Sequence, residues 1–86
     1  MKETRTLIQN ETGLHARPAS ILIHEAQKLQ SKITIKKGEK EVNLKSMVCL
    51  LSLGVANGDE VLIRAEGVDE DEALDKVIEV IKGFSK

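Results

Sequence analysis

Gly13-Leu14-His15-Ala16-Arg17-Pro18-Ala19 joins a β-prone segment to the first helical pattern of an 86-residue chain. Proline is tolerated in the first turn of a helix, because the amide hydrogen that it lacks would have no intrahelical partner there. Pro18 therefore sets a helix start close to His15. The helix is predicted over residues 16–28 by apolar residues that recur at spacings of three and four, namely Ala16, Ala19, Leu22, Ile23, Ala26 and Leu29.

The start of this helix has features that suit a phosphate group. The unpaired amides and the dipole of a first turn favour an anion by about 0.3–1 kcal/mol. Arg17 adds a planar, permanently charged set of donors. The imidazole of His15 can act as nucleophile and leaving group in phosphoryl transfer. The pattern predicts a phosphate site in which His15 carries the phosphoryl group; the plainer alternative is a surface histidine that precedes a helix.

Length and composition exclude several classes of protein. A chain of this size has room for one domain, predicted over residues 1–86. The formal net charge of −1 and the single aromatic residue, Phe84, argue against a nucleic-acid partner. The single cysteine, Cys49, cannot form an internal disulfide, which favours a reducing cytoplasm. The start of the chain is too polar for a signal peptide and no apolar run reaches membrane length, so we expect a cytoplasmic protein without membrane insertion.

The rest of the chain alternates between strand and helix patterns. Ser46 is a favourable N-cap for a short helix, and Asp69 with Glu72 has the spacing of a capping box. The predicted order is β-α-β-β-α-β-α, an α+β fold with an antiparallel sheet covered on one face by helices. The remaining elements are strands at 2–9, 33–36, 40–44 and 60–66, a helix at 47–52 that ends near Gly54, and a last helix from Asp69 to about Gly83.

Three segments together resemble HPr, the family of histidine-containing phosphocarrier proteins of the bacterial phosphoenolpyruvate-dependent sugar phosphotransferase system. They are residues 13–20 (Gly-Leu-His-Ala-Arg-Pro-Ala-Ser), 43–47 (Asn-Leu-Lys-Ser-Met) and 51–54 (Leu-Ser-Leu-Gly). The resemblance implies an open-faced β-sandwich of four antiparallel strands and three helices. It implies that enzyme I passes a phosphoryl group to Nδ1 of His15, where Arg17 and the helix amides stabilise it. The chain would then donate that group to IIA domains of sugar permeases.

The resemblance also gives Ser46 a role. It matches the serine that an HPr kinase/phosphorylase modifies in members of the Gram-positive type, where the phosphorylated form partners a LacI-type regulator in carbon catabolite repression. A phosphate at this helix start would add roughly −2 charge and disfavour an acidic partner. The alternative is that Ser46 serves only as an N-cap.

Met47, Val48 and Leu51 are predicted to form a partly exposed docking patch, because a short helix cannot bury apolar residues on more than one face. The alternative is that they belong to the core. Ser20 and His24 are expected at the rim of the patch, and both depart from the residues usual in the family, as does Cys49.

The spacing of His15 and His24 puts them out of phase on a helix, so we expect no metal site, and we assign no cofactor. We expect a monomer that carries a phosphoryl group without turning over alone. The rival interpretations are a small phosphate-ester or acyl-phosphate hydrolase and a purely regulatory relative of the carriers.

Overall fold

The computed structural model describes residues 1–84; the last two residues of the predicted domain, 85 and 86, lie outside the described residues. The elements follow the predicted order. They are β1 (Lys2–Leu7), α1 (Arg17–Ala26), β2 (Lys32–Lys37), β3 (Lys40–Asn43), α2 (Met47–Leu53), β4 (Glu60–Glu66) and α3 (Glu70–Gly83).

The strands form one antiparallel sheet in the order β1-β4-β2-β3. The last strand therefore lies inside the sheet, where Ile63 pairs with Thr4 of β1 on one side and with Ile35 of β2 on the other. Because β4 runs antiparallel to both neighbours, β1 and β2 are parallel with β4 between them, the split βαβ arrangement. The predicted fold class, a four-stranded antiparallel sheet with three helices in an open-faced sandwich, is confirmed.

Alternation along the strands separates the two faces of the sheet. Val61, Ile63 and Ala65 of β4 are buried, as are Ile33 and Ile35 of β2. These side chains face the helices and pack with the buried stripes of the three helices, which are Ala19, Leu22, Ile23 and Ala26 in α1, Leu50 and Leu53 in α2, and Ala73, Val77 and Ile81 in α3.

The opposite face of the sheet is polar. Arg64 on β4 donates from Nε to Glu3 on β1 at 2.7 Å, and its Nη1 lies 3.4 Å from Glu41 on β3. Thr34 on β2 donates to the same Glu41 carboxylate at 2.6 Å. This polar chain takes one residue from each strand.

Several element ends differ from prediction, most clearly those of α1 and β1. Helix α1 begins at Arg17 and ends at Ala26, shorter than the predicted 16–28, and Ala16 is exposed rather than part of the buried stripe. Strand β1 ends at Leu7, two residues earlier than predicted. The backbone of Ile8 instead accepts from the Gly58 amide at 2.7 Å and donates to the Asp59 carbonyl at 2.9 Å, in the loop before β4.

The helix caps agree with prediction at α2 and disagree at α3. Ser46 is the N-cap of α2, and Gly54 ends that helix in the left-handed conformation at φ 69°. Asp69 stands at the N-cap position of α3, but its side chain forms no capping bond, so the predicted capping box with Glu72 is wrong. The Asp69 carboxylate instead accepts from the amides of Gln30 and Ser31, at 2.8 and 2.9 Å, and from the Ser31 hydroxyl.

Within residues 1–84, no helix combines the length and the hydropathy needed to cross a membrane.

Candidate functional site

The loop before α1 is fixed by its contacts with residues 55 and 56. Leu14 is buried and its amide donates to the Val55 carbonyl at 3.0 Å. Gly13 has φ 66°, and a Cβ placed there would lie 2.4 Å from the Val55 carbonyl oxygen. Asn10 closes the other side of the loop, since its side-chain amide donates to the Gly13 carbonyl at 2.7 Å. Only glycine fits this approach, and the loop leaves little freedom for the backbone that leads into His15.

Ala16 links this loop to α1, and its backbone conformation is strained. It has φ 51° and ψ −116°, and it is the one non-glycine residue with a positive φ in the described part of the chain. Such conformations cost about 1–3 kcal/mol and persist only where surrounding contacts impose them. Here the carbonyl of Ala16 accepts the first helical hydrogen bond, from the Ser20 amide at 3.0 Å. The strained residue therefore redirects the chain between a fixed loop and a fixed helix, immediately after His15.

His15 and Arg17 are exposed on either side of Ala16. Within residues 1–84, neither side chain forms a hydrogen bond or an ion pair, so both are available to a ligand. Pro18 lies in the first turn of α1, as predicted, and no acidic residue occupies that turn. The structure therefore places His15 at a helix N-terminus whose amides and dipole favour an anion, with Arg17 as the nearest cationic residue in the sequence.

Helices α1 and α2 lie antiparallel at the site. Leu14, which precedes α1, bonds to Val55, which follows α2. At the other end of the pair, Gln27 follows α1 and donates at 3.4 Å to the carbonyl of Lys45, which precedes α2. His15 and Ser46 therefore lie at opposite ends of the helix pair. About 10 Å of α2 axis separates those two ends, at 1.5 Å per residue for its seven residues.

Ser46 is half-buried and holds the start of α2. Its hydroxyl accepts from the Cys49 amide at 3.3 Å, and its carbonyl accepts from the Leu50 amide at 2.9 Å. The capping role predicted from the sequence is confirmed. Nearby, Lys45 donates from Nζ to the Leu29 carbonyl at 2.6 Å, which ties the start of α2 to the segment after α1.

Met47, Val48 and Leu51 are exposed along one face of α2, between the two ends that hold His15 and Ser46. Their exposed fractions are 36%, 78% and 38%, so the alternative that they belong to the core is wrong. Ile21 on α1 is also exposed, at 44%, and was missed by the sequence analysis. Its signal was present, because Ile21 is the one aliphatic residue of α1 outside the spacing of the buried stripe. We call these four residues the apolar patch.

Charge is distributed unequally among the helices. Ser20 and His24 are exposed on α1, and the only acid in α1 is Glu25. Lys28 at 3.1 Å and Lys76 at 3.8 Å pair with that carboxylate. Helix α2 has no charged residue, whereas α3 has five acidic residues and two lysines. The α1–α2 surface is therefore suited to an apolar partner surface with acidic surroundings.

The side chains that support the loop after α2 were not predicted from the sequence. Asn57 and Gly58 form a turn before β4. In addition, the Asp59 carboxylate accepts from the Ala56 amide at 2.8 Å and pairs with Lys37 at 2.9 Å. A lysine before a hairpin turn gives no sequence signal for this contact, which depends on the packing of distant segments.

Comparison with known proteins identifies a family and several relatives that this chain resembles in sequence and structure. Residues 2–83 match the family model described as PTS HPr component phosphorylation site. The phosphocarrier protein HPr of Mycoplasma pneumoniae is 40% identical over 83 residues, which cover 95% of this chain and 94% of the relative. The crystal structure of HPr-C-His from Thermoanaerobacter tengcongensis is 44% identical, with a TM-score of 0.96 over 99% of this chain and 96% of that one. The solution structure of Crh, the Bacillus subtilis catabolite repression HPr, is 38% identical, with a TM-score of 0.67 over 93% and 95% of the two chains.

Proposed function

Because this chain belongs to the HPr family of phosphotransferase-system phosphocarriers, we propose that it relays a phosphoryl group from enzyme I to IIA domains of sugar permeases, carried on His15. The observation that carries the proposal is the exposed imidazole of His15 at the N-terminus of α1, which has no hydrogen-bond or ion-pair partner among residues 1–84. We propose that the chain works in the cytoplasm as a monomer, and that it holds one phosphoryl group without releasing it to water.

The transfer needs a nucleophile and charge stabilisation, and the α1 start offers both. A lone pair on Nδ1 of His15 attacks phosphorus, the bond from phosphorus to the donor's leaving atom breaks, and that atom takes the bonding electrons. The amides of the first turn and Arg17 face the oxygens of the transferred group, which bear the negative charge. Transfer to the acceptor reverses these roles, with the His15 nitrogen as the leaving atom.

Docking is proposed to use the apolar patch, with Ser20 and His24 at its rim. Three members of the patch lie on α2, between the ends of the helix pair that hold Ser46 and His15, and Ile21 lies on the adjacent α1. Acids are concentrated on α3 rather than on α1 and α2. A partner that combines apolar side chains with carboxylates would therefore bring its own phosphoryl site close to His15.

Incubation with phosphoenolpyruvate and enzyme I tests the relay, with intact mass measured before and after mild acid. One added phosphoryl group that is lost in acid is expected. The chain has two histidines, which gives a matched control: His15→Ala should stay unmodified, whereas His24→Ala should accept the group. Modification of His15→Ala would contradict the assignment, and continuous release of inorganic phosphate by the chain alone would favour the hydrolase.

We also propose that Ser46 is a regulatory phosphorylation site, modified by an HPr kinase/phosphorylase and recognised by a LacI-type catabolite regulator. Ser46 lies at the start of α2 next to Met47 and Val48, so a phosphate there would place roughly −2 charge beside the apolar patch. Because Ser46 lies at the opposite end of the helix pair from His15, the effect would act on docking rather than on the imidazole.

Ser46→Asp should raise KM for phosphoryl transfer from enzyme I and have less effect on kcat. Val68→Asp is the control, because Val68 is 88% exposed in the loop before α3 and the substitution adds the same charge elsewhere. Equal kinetics for the two variants at low salt would rule out a local electrostatic effect at Ser46.

The likeness to Crh supports a second candidate, a regulatory protein that is phosphorylated on Ser46 and does not relay phosphate. An intact His15 at a strained helix start weighs against it, because such a protein needs no nucleophile there. An unmodified mass with enzyme I that is shown to be active would favour this candidate.

A further inference from the structure

The loop that positions His15 rests on a second loop, and one lysine and one aspartate hold that second loop in place. We propose that Lys37 and Asp59 are positioning residues for phosphoryl transfer, acting through residues 54–56 on the backbone that carries His15. We call the pair the Lys37–Asp59 clip. The inference rests on the proposed function of His15, and one of its measurements below is independent of that function.

Lys37 makes two contacts from the end of β2. Its Nζ donates to the Gly54 carbonyl at 2.6 Å and lies 2.9 Å from the Asp59 carboxylate. Both side chains are about one-third exposed, at 35% and 30%. One ammonium group therefore joins the residue that ends α2 to the residue that precedes β4, and the residues between them are held at both ends.

Asp59 fixes the middle of the same loop. Its carboxylate accepts from the Ala56 amide at 2.8 Å, and its own amide donates to the Ala56 carbonyl at 3.1 Å. Its carbonyl accepts from Ile8 at 2.9 Å, just after β1. The Ala56 amide first, and then Lys37, lower the pKa of the Asp59 carboxyl below its ordinary value.

The supported loop is the surface against which the His15 backbone packs. The Val55 carbonyl accepts the Leu14 amide at 3.0 Å, and the backbone of residues 55 and 56 leaves no room for a Cβ at Gly13. A shift of residues 55–56 would therefore displace Gly13 and Leu14, and with them the strained turn at Ala16. Misplacement of a reacting group by about 1 Å can cost on the order of a hundredfold in rate.

Lys40 provides a matched control. It comes from the same hairpin and donates to the Ser52 carbonyl at 3.2 Å, also near the end of α2. Among the described residues it forms no hydrogen bond or ion pair with Asp59. Replacement of either lysine removes one charge beside the C-terminus of α2, but only replacement of Lys37 opens the clip.

The test compares Lys37→Met with Lys40→Met as substrates of phosphorylated enzyme I. We expect Lys37→Met to lower kcat about tenfold with little change in KM, because positioning rather than docking is lost. Lys40→Met should keep kcat within about twofold of the value for the chain without substitutions. Equal losses of kcat in the two variants would overturn the clip and indicate a general effect of charge.

Asp59 supplies a test by conservative replacement. Asp59→Asn keeps an oxygen that can accept from the Ala56 amide, whereas Asp59→Ala removes it. We therefore expect Asp59→Asn to recover most of the kcat that Asp59→Ala loses. Equal kcat for the two variants would contradict the role of the Ala56 contact.

Amide hydrogen exchange at Leu14 tests the clip without reference to phosphate. Its bond to Val55 should open more often in Lys37→Met, with exchange about threefold to tenfold faster, and it should be unchanged in Lys40→Met. If exchange at Leu14 responds but the chain without substitutions accepts no phosphoryl group, the clip stands and the proposed function fails. If the chain without substitutions accepts the phosphoryl group and neither kcat nor exchange responds to Lys37→Met, the clip alone fails.

Discussion

Replacement of Ala16 by glycine should stabilise the folded chain, although glycine usually destabilises. Ala16 has φ 51° and ψ −116°, a conformation costly for alanine and accessible to glycine. The strain is worth about 1–3 kcal/mol. Against this gain, glycine lowers the unfolding free energy by about 0.4–1 kcal/mol, because it gives the unfolded chain greater freedom. Ala16 is exposed, so little packing is lost. The net gain in unfolding free energy should be about 1 kcal/mol, or a rise in Tm of about 4–8 °C.

The measurement is urea unfolding followed by far-UV circular dichroism, because the chain has no tryptophan or tyrosine to report by fluorescence. Ala56→Gly is the control, since Ala56 is exposed and its φ is not positive. That variant should lose about 0.4–1 kcal/mol. A loss of the same size in Ala16→Gly would refute the reasoning, because it would mean that the backbone at Ala16 stores no strain.

Three further substitutions test the loop before α1, the segment after α1 and the apolar patch. Gly13→Ala should cost about 2–5 kcal/mol in urea unfolding, because it adds a left-handed alanine and a Cβ 2.4 Å from the Val55 carbonyl oxygen; a cost below that of Ala56→Gly would contradict the close approach. Asp69→Ala should destabilise at pH 7, since bonds from the Ser31 hydroxyl first, and then from the Gln30 and Ser31 amides, lower the pKa of that carboxyl in the folded chain. This contribution to stability is full above the pKa of the carboxyl in the unfolded chain, about 3.9, and is lost as pH falls through the lower pKa in the folded chain. The stability difference between the two chains, measured by thermal unfolding, should therefore shrink in acid. A difference that stays constant with pH would exclude this role of the Asp69 carboxyl. Val48→Ser should change unfolding free energy by no more than about 0.5 kcal/mol, because Val48 is 78% exposed, yet it should raise KM with enzyme I; an unchanged KM would exclude Val48 from docking.

Local signals in the sequence were sufficient for most of the fold. Pro18 gave the start of α1, Ser46 and Gly54 gave the ends of α2, and the alternation of β4 gave both its limits and its buried face. Each of these signals acts through neighbouring residues, so the pattern and the structure agree.

The features that the sequence did not predict depend on contacts between distant segments. Asp69 lies at a capping position, but its carboxylate bonds to Ser31 in the loop after α1 instead of its own helix. The positive φ of Ala16 follows from the fixing of Gly13 and Leu14 against Val55. Nothing in the local sequence around Lys37 indicates that it reaches Asp59.

The central position of β4 determines when the site can form during synthesis. The β2–β3 hairpin can pair once residue 43 has been made, but β1 has no neighbour in the sheet until β4 follows it. Until then the apolar faces of α1 and α2 have no completed sheet to cover, and contacts between such distant residues form slowly. The nascent chain therefore exposes Leu22, Ile23 and Leu50 until β4 has been made and the sheet is complete. A chaperone that binds aliphatic segments would meet this protein before any phosphoryl donor could.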